Sequence, residues 1–393
     1  MKKGNNEGSI RKRADGTWEA RYSDGRDANG RQIQRSIYAK TRKEVSEKLN
    51  TVLYQKQYGY YVSPNNITLS EWLYKWLRDY AELSVRPSTY ISYEGYVYNH
   101  INPVMGNMPI QQITPVMIQN FYNQKFESGR IDGNGGLSPK TIRNMHNMLH
   151  HSFEQAKING LLVANPSDGA VTPKQVKKEM RVLSLNEQMA LMNVLHLHRL
   201  GFAIMFDLAT GLRVGELCAL RWSDVNFNRK TIKISRTLQR IKKSMAERIN
   251  GENTTAIIEG NVKTSSGFRE IPLPDKIFSK LLEHQQNQIA EMNYYGPMYQ
   301  NHGYIFTMPL GTCVEPHIMR DTFNYLLKAA NIEHANFHAL RHTFATRAIE
   351  NGVNIKTLSD ILGHSQVQIT MDLYCHSSLD LMRESMDKLM VLF

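Results

Sequence analysis

The chain has only three cysteines in 393 residues, Cys218, Cys313 and Cys375, far apart and without C-x-x-C spacing. That count and spacing indicate neither a disulfide framework nor a zinc site. No run of eighteen apolar residues is present, so no helix is expected to cross a membrane. The opening M-K-K-G-N-N-E-G lacks an apolar secretion core, which makes the cytoplasm the default compartment. Glycines gather at 129–137 (G-R-I-D-G-N-G-G-L) without the lysine and spacing of a phosphate loop, so this stretch reads as a flexible connection. Acidic residues are outnumbered, 36 Asp and Glu against 48 Lys and Arg, for a formal net charge of +12. Such an excess points to a polyanionic partner, with nucleic acid the leading candidate over a merely solvated basic surface.

At this length two or three domains are expected. Residues 1–60 hold 14 Lys and Arg against 7 Asp and Glu, more than half of the net charge. Turn signals at Asp15-Gly16 and Asn29-Gly30 separate three short strands. Thr41 followed by Glu44 opens a helix as a capping box, with Val45 and Leu49 as its apolar stripe. In this β-β-β-α module Arg11, Lys12, Arg13, Arg21, Arg31 and Arg35 are candidate DNA contacts, because a basic sheet face can enter a groove. Trp18 and Tyr22 read as core packed on the helix.

Tyr58 to Asn66 lacks periodicity and reads as a linker. Residues 68–165 read as an all-α domain of four or five helices. Its signals are Trp72 and Trp76 four apart, a helix after Pro87, and helix starts at Thr114-Pro115 and Ser138-Pro139. A second linker, 166–181, carries the basic run K-Q-V-K-K. Ser184 with Glu187 then caps the start of a domain running over 182–393.

Three stretches of that last domain carry unusual polar residues. In A-T-G-L-R-V-G-E-L, Arg213 stands among apolar neighbours, and an unpaired buried charge costs several kcal/mol, so it needs Glu216 or a substrate phosphate as partner. V-K-T-S-S-G-F-R-E-I-P-L reads as two strands around a Ser-Ser-Gly turn, with Lys263 at its edge able to reach a groove. In H-A-L-R-H-T-F-A-T, a helix over His338 to Glu350 places His338 and Arg341 side by side. His364 and then Tyr374 follow. Five donors that suit a phosphate and one phenol fit phosphoryl transfer by positioned charge and a protein nucleophile. No carboxylate cluster for magnesium stands beside them, and no metal or other cofactor is expected.

The spaced motifs A-T-G-L-R-x-G-E-L, K-T-x-x-x-x-R-x-I-P-L, H-x-L-R-H-T-F-A-T, L-G-H-S and the final tyrosine resemble the tyrosine recombinase (phage integrase) family over residues 184–393. The helical region resembles that family's core-binding domain. The β-β-β-α start resembles the arm-binding domain of integrases from conjugative transposons and phages. The fold class implied is thus a small β-β-β-α arm-binding domain, an all-α core-binding domain and a mixed, mainly-α catalytic domain with a small β-sheet.

By this resemblance Arg213 and Arg341 hold a scissile phosphate, and His338 and His364 assist by hydrogen bonds and proton transfer. Lys263 protonates the leaving 5′-oxygen, and Tyr374 attacks to leave a 3′-phosphotyrosyl link. The partners implied are double-stranded DNA at core and arm attachment sites and further copies of the chain in a tetramer on DNA. An excisionase, a host DNA-bending protein and no membrane complete that expectation. Two departures stand out: Gly267 replaces a polar residue common in relatives, and Gln239 to Asn261 extends a strand connection. The tail L-M-R-E-S-M-D-K-L-M-V-L-F is expected to form a helix that docks on a neighbouring protomer. A resolvase of chromosome or plasmid dimers shares the chemistry but usually resembles only the last two domains, so the basic module favours excision and insertion of a mobile element.

Overall fold

The structure, a computed structural model, describes residues 8–27, 29–176, 180–243, 254–262, 265–374 and Asp387. The chain divides into two compact units, Met1–Val176 and Lys177–Phe393.

The first unit begins with an antiparallel sheet of β1 (Ser9–Lys12), β2 (Trp18–Arg26) and β3 (Gln32–Ala39), followed by α1 (Arg42–Gln57). Both turns form where turn chemistry places them. Gly16 and Gly30 have φ of 86° and 81°, and the Asp15 and Asp27 carboxylates accept amides of the turn. Thr41 caps α1 by accepting the Glu44 amide at 3.2 Å. Val45 and Leu49 pack under Ala20 and Tyr22, with Trp18 half-buried beside them.

Register decides which arginines face away from α1. Arg11 pairs with Glu19 and Ser36 with Arg21, all on the open face, whereas Arg35 lies directly opposite Tyr22, on the face that α1 covers. Arg35 is therefore not a residue of the open face, as the sequence led us to expect. It is held by the Asp24 carboxylate, which also accepts from Ser63 at 2.9 Å. Lys12, opposite Trp18, shares this helix-side parity. Arg11 and Arg21 bond the buried Glu19 at 2.5 and 2.9 Å, and Arg31 lies exposed at the β2–β3 turn. Arg13 contacts Asp15 at 3.1 Å and lies over the Tyr38 ring.

The stretch from Tyr58 is less of a linker than its aperiodic sequence suggests. Tyr61 meets Tyr22 edge to face, and Gln111 donates to the Ser63 carbonyl at 3.0 Å. The helical part contains α2 (Leu69–Trp76), α3 (Pro87–Tyr96), α4 (Pro115–Ser128) and α5 (Pro139–Ile158). Thr114 and Ser138 cap α4 and α5 with proline at the first position, where a missing N–H costs nothing. Helices α2 and α3 each run on through a π-helical turn, Leu77–Ala81 and Val97–Ile101, which no capping or periodicity signal announced. The core joins Trp72, Trp76, Ile101, Phe121, Met145, Leu149 and Phe153, and the Trp72 indole donates to the Ser152 carbonyl at 3.1 Å.

Two sequence expectations change here. The glycine-rich 129–137 stretch forms a hydrogen-bonded turn, with Arg130 paired to Asp132 and the Leu137 amide on the Lys125 carbonyl. The start of the expected second linker is tied to the helices: Asn165, just before it, donates to Glu154 at 3.0 Å and Gln119 accepts the Val171 amide at 2.8 Å. Among the described residues, His150, Glu154 and Asp168 form the one group of three or more His, Cys, Asp or Glu whose ligand atoms lie within 4.8 Å of each other. His150 and Glu154 are already bonded to Asp168 and Asn165.

The second unit carries α6 (Leu185–Val194), α7 (Gly201–Thr210), α8 (Val214–Cys218), β4 (Val225–Asn226), β5 (Thr231–Ile234), β6 (Arg236–Lys242), β7 (Thr255–Asn261) and β8 (Arg269–Pro272). Then come α9 (Asp275–Tyr295), α10 (Pro316–Ala329), α11 (His338–Glu350), α12 (Ile355–Leu362) and α13 (Val367–Tyr374). The Ser184–Glu187 box forms in full. The two strands around Ser265–Gly267 do not pair with each other. Strand β7 pairs with β6 in a two-stranded ribbon, and β8 pairs with β5 in the sheet β4-β5-β8. That ribbon is the described part of the long 239–261 segment. The tail after Tyr374, Asp387 apart, lies outside the described residues, and so does its expected docking. Among the described residues no helix is long and apolar enough to cross a membrane.

Candidate active site

An α-helix ends with carbonyls that have no intrahelical donor and with the negative end of its dipole. At the end of α12 three successive carbonyls are each taken by a different arginine. Ile361 accepts from Arg269 Nε at 2.5 Å, Leu362 from Arg341 Nη2 at 2.8 Å, and Gly363 from Arg213 Nη2 at 3.4 Å. Arg341 Nη1 also donates to the Gly211 carbonyl at 2.8 Å, just past the end of α7, so this guanidinium bridges two helix termini.

Both termini depend on glycine. Gly211 and Gly363 have φ of 62° and 66°, and a Cβ on either would lie within 3.0 Å of a neighbour, Phe344 for Gly211 and Arg269 for Gly363. The A-T-G-L-R and L-G-H motifs are thus also the helix stops that bring the arginines in.

Arg213 stands before α8 rather than on it, as its N-cap residue. Its guanidinium meets Glu216 Oε1 at 2.8 Å, and the other Glu216 oxygen takes Arg269 Nη2 at 2.8 Å. Burial pushes the Glu216 carboxyl up, but Arg269 and then Arg213 outweigh it and hold the carboxyl below its usual range. Asp207, on α7, is different. It is fully buried, neither carboxylate oxygen has a hydrogen-bond partner among the described residues, and burial drives it well above the usual range against the pull of Arg341. Arginine charge therefore exceeds carboxylate charge here.

His338 opens α11 with its ring edge-on to His342, centroids 4.5 Å apart. His338 is exposed as a residue, yet desolvation first, then His342, Arg341 and Arg213, push its pKa down to about 4. His364 follows Gly363, with Nδ1 2.8 Å from the Thr370 hydroxyl. Desolvation, then Arg341, Arg213 and His338, lower it to about 4 as well. Arg213 and Arg341 meet at the carbonyls just before His364, and both lower His338 and His364, which are neutral near pH 7. Helix α13 ends at Tyr374, twelve residues after Leu362 closes α12. Lys263 lies outside the described residues.

Four partners escaped the sequence reading: Arg269, Asp207, His342 and Thr370. Arg269 stands inside the K-T-x-x-x-x-R-x-I-P-L pattern, which was its only signal.

Residues 181–380 match the model of the phage integrase family, and residues 68–126 match that of the phage integrase N-terminal SAM-like domain. The tyrosine recombinase XerC-like protein of Caldanaerobacter subterraneus subsp. tengcongensis is 33% identical over 362 residues, 90% of each chain. The ICEBs1 integrase of Bacillus subtilis is 24% identical over 97% of this chain and 99% of its own. Among solved structures, the Tn1549 transposon integrase in complex with a circular intermediate DNA has a TM-score of 0.66 at 23% identity, covering 82% of this chain and 99% of that one. A lambda integrase tetramer bound to a Holliday junction has a TM-score of 0.57 at 16% identity, over 96% and 99%. The chain belongs to the phage integrase family. Its activity is that of a tyrosine recombinase, which cuts and rejoins DNA.

Proposed function

We propose that this integrase excises and inserts a mobile DNA element, with Arg213, Lys263, His338, Arg341, His364 and Tyr374 as its catalytic residues. The observation that carries the assignment is the convergence of two arginines and two neutral imidazoles at the end of α12, with the helix bearing Tyr374 following at once.

Arg213 and Arg341 hold the non-bridging oxygens of the scissile phosphate and offset the charge that builds on them. The Tyr374 oxygen attacks phosphorus and loses its proton to a neighbouring imidazole. The bond from phosphorus to the 5′-oxygen breaks, and that oxygen takes a proton from Lys263. A 3′-phosphotyrosyl link and a free 5′-hydroxyl result, and reversal by another 5′-hydroxyl rejoins the strand.

The open face of the N-terminal sheet, with Arg11, Arg13 and Arg21, reads arm sites together with Arg31. Lys12 and Arg35, on the helix side by register, have a smaller part. Assembly is a tetramer on two duplexes with the C-terminal tails docked in trans, assisted by an excisionase and a host bending protein. Relatives captured on a transposon circular intermediate and on a Holliday junction support this reading. The XerC-like relative aligns over 90% of both chains.

The test is covalent trapping on a nicked duplex carrying the junction sequence that flanks the gene. Wild-type protein should form an adduct, and Tyr374→Phe should form none while binding the duplex within about twofold, since the phenolic oxygen is a small part of the contact surface. Equal adduct from both proteins would refute the assignment.

A further inference from the structure

We propose that Arg269 is a positioning residue for strand cleavage, holding Arg213 through Glu216 and fixing the end of α12 at Ile361. This rests on the catalytic roles proposed above and adds a residue to them.

The strand register aims Arg269 inward. Ile271 lies opposite Ile232 and Arg269 opposite Ile234, so Arg269 and Ile271 share the face on which these isoleucines are buried. A guanidinium brought to that face needs partners, and each of its three nitrogens has one. The Arg269 side chain is 6% exposed, and it donates to the Ile361 carbonyl at 2.5 Å, the Gly267 carbonyl at 3.1 Å and Glu216 at 2.8 Å. Three segments meet on one planar group. They are the turn that follows Lys263 in sequence, the carboxylate that holds Arg213, and the helix end that holds Arg341 and leads into His364.

Close approach of the backbone confirms how tightly this is built. A Cβ on Gly363 would lie 2.9 Å from Arg269 Nη1 and 2.9 Å from the Ser266 carbonyl. Only a glycine there lets α12 end against this arginine.

Arg213 depends on the arrangement more than Arg341 does. Its side chain is 43% exposed, against 3% for Glu216, so Glu216 is the buried anchor and Arg213 the exposed partner. With Arg269 removed, Glu216 keeps Arg213 as its one paired cation among the described residues. Asp207 on α7 and His338 on α11 are the other titrating groups that sense it. Burial then favours its neutral form, and a protonated Glu216 holds Arg213 weakly. Lysine at position 269 would keep the charge but could not reach all three acceptors at once.

The test measures single-turnover adduct formation by the full chain on the nicked junction duplex, from pH 5 to 8, for wild type, Arg269→Gln and Arg269→Lys. The Gln variant should cleave about 100-fold more slowly, as small misplacements of a catalytic group do. Its activity should be lost at a higher pH than in wild type as Glu216 takes up a proton. The Lys variant should lose about tenfold and keep the wild-type acid limb, with both variants binding the duplex within about twofold. Melting curves identify which variants are folded, and if the Gln variant is not, the rate of the Lys variant decides. A folded variant that cleaves at the wild-type rate would overturn the proposal, as would equal losses with an unmoved acid limb. Absence of adduct from wild type would instead sink the catalytic assignment together with this inference.

Discussion

In the N-terminal sheet Arg11 and Arg21 share the Glu19 carboxylate, and Arg35 is held by Asp24. In the second unit Arg341 is held by two backbone carbonyls, and Arg213 shares Glu216 with Arg269. The difference lies in Arg341, since Arg213 and Arg269 share a carboxylate just as Arg11 and Arg21 do. A carboxylate fixes an arginine and cancels its charge, whereas a carbonyl fixes it and leaves the charge available. The sheet thus retains a modest positive field, and at the α12 terminus three arginines gather around one ionised carboxylate. Asp207 fits this contrast, because burial favours its neutral form and so spares the positive charge of Arg341.

The largest effect should come from removing the charge of Arg341. Arg341→Ala should slow adduct formation by at least about 100-fold, the scale of losing one preorganised donor to a developing charge, while duplex affinity falls far less. A loss in affinity equal to the loss in rate would place Arg341 in general binding instead. Deleting residues 1–60 should act in the opposite sense. Arm-site binding weakens and its salt dependence flattens, because many phosphate contacts leave together, but cleavage at a core site persists. Unchanged mobility shifts with arm sites would break the comparison.

The two regions should also loosen in different pH windows. His338, His342 and His364 are lowered from 6.5 to about 4, so the unfolded chain binds more protons than the folded one between these values. Their contribution is complete above pH 6.5 and is lost as the pH falls toward 4. Glu19 is lowered from 4.5 to about 2 by Ser36, Arg21 and Arg11, so its contribution is complete above 4.5 and lost as the pH falls toward 2. Hydrogen exchange by peptide, corrected for intrinsic rates, should show α11 and α12 loosening before β2. Simultaneous loosening would contradict these shifts.

The smallest effect is expected from Glu19→Gln, which frees one net positive charge on the open face. The slope of log affinity against log salt for arm DNA should steepen by about 1. An unchanged slope would mean that Arg11 and Arg21 do not meet phosphate.

Much of the fold was legible because its signals are local. Ser138-Pro139 and Thr114-Pro115 set helix starts, Asp15-Gly16 sets a hairpin, and the spacing from His338 to Arg341 sets a helical face. What was missed depends on residues far apart in the chain. The face of Arg35 follows from a register that shifts between Ser23 and Arg26, and one residue of slip reverses every side chain. Strands flanking Ser265–Gly267 read as a hairpin, yet each pairs with a strand earlier in the chain. The role of Arg269 could not be seen until Glu216 and Ile361, 53 and 92 residues away, were brought beside it.

The central claim is that the charge gathered at the α12 terminus serves a phosphate attacked by Tyr374. The most direct measurement is to digest the trapped protein–DNA adduct with trypsin and nuclease and find the modified peptide by mass spectrometry. A nucleotide mass is expected on the peptide of residues 357–383, localised to Tyr374 and lost in Tyr374→Phe. A nucleotide on any other tyrosine, or an adduct that survives that substitution, would contradict it.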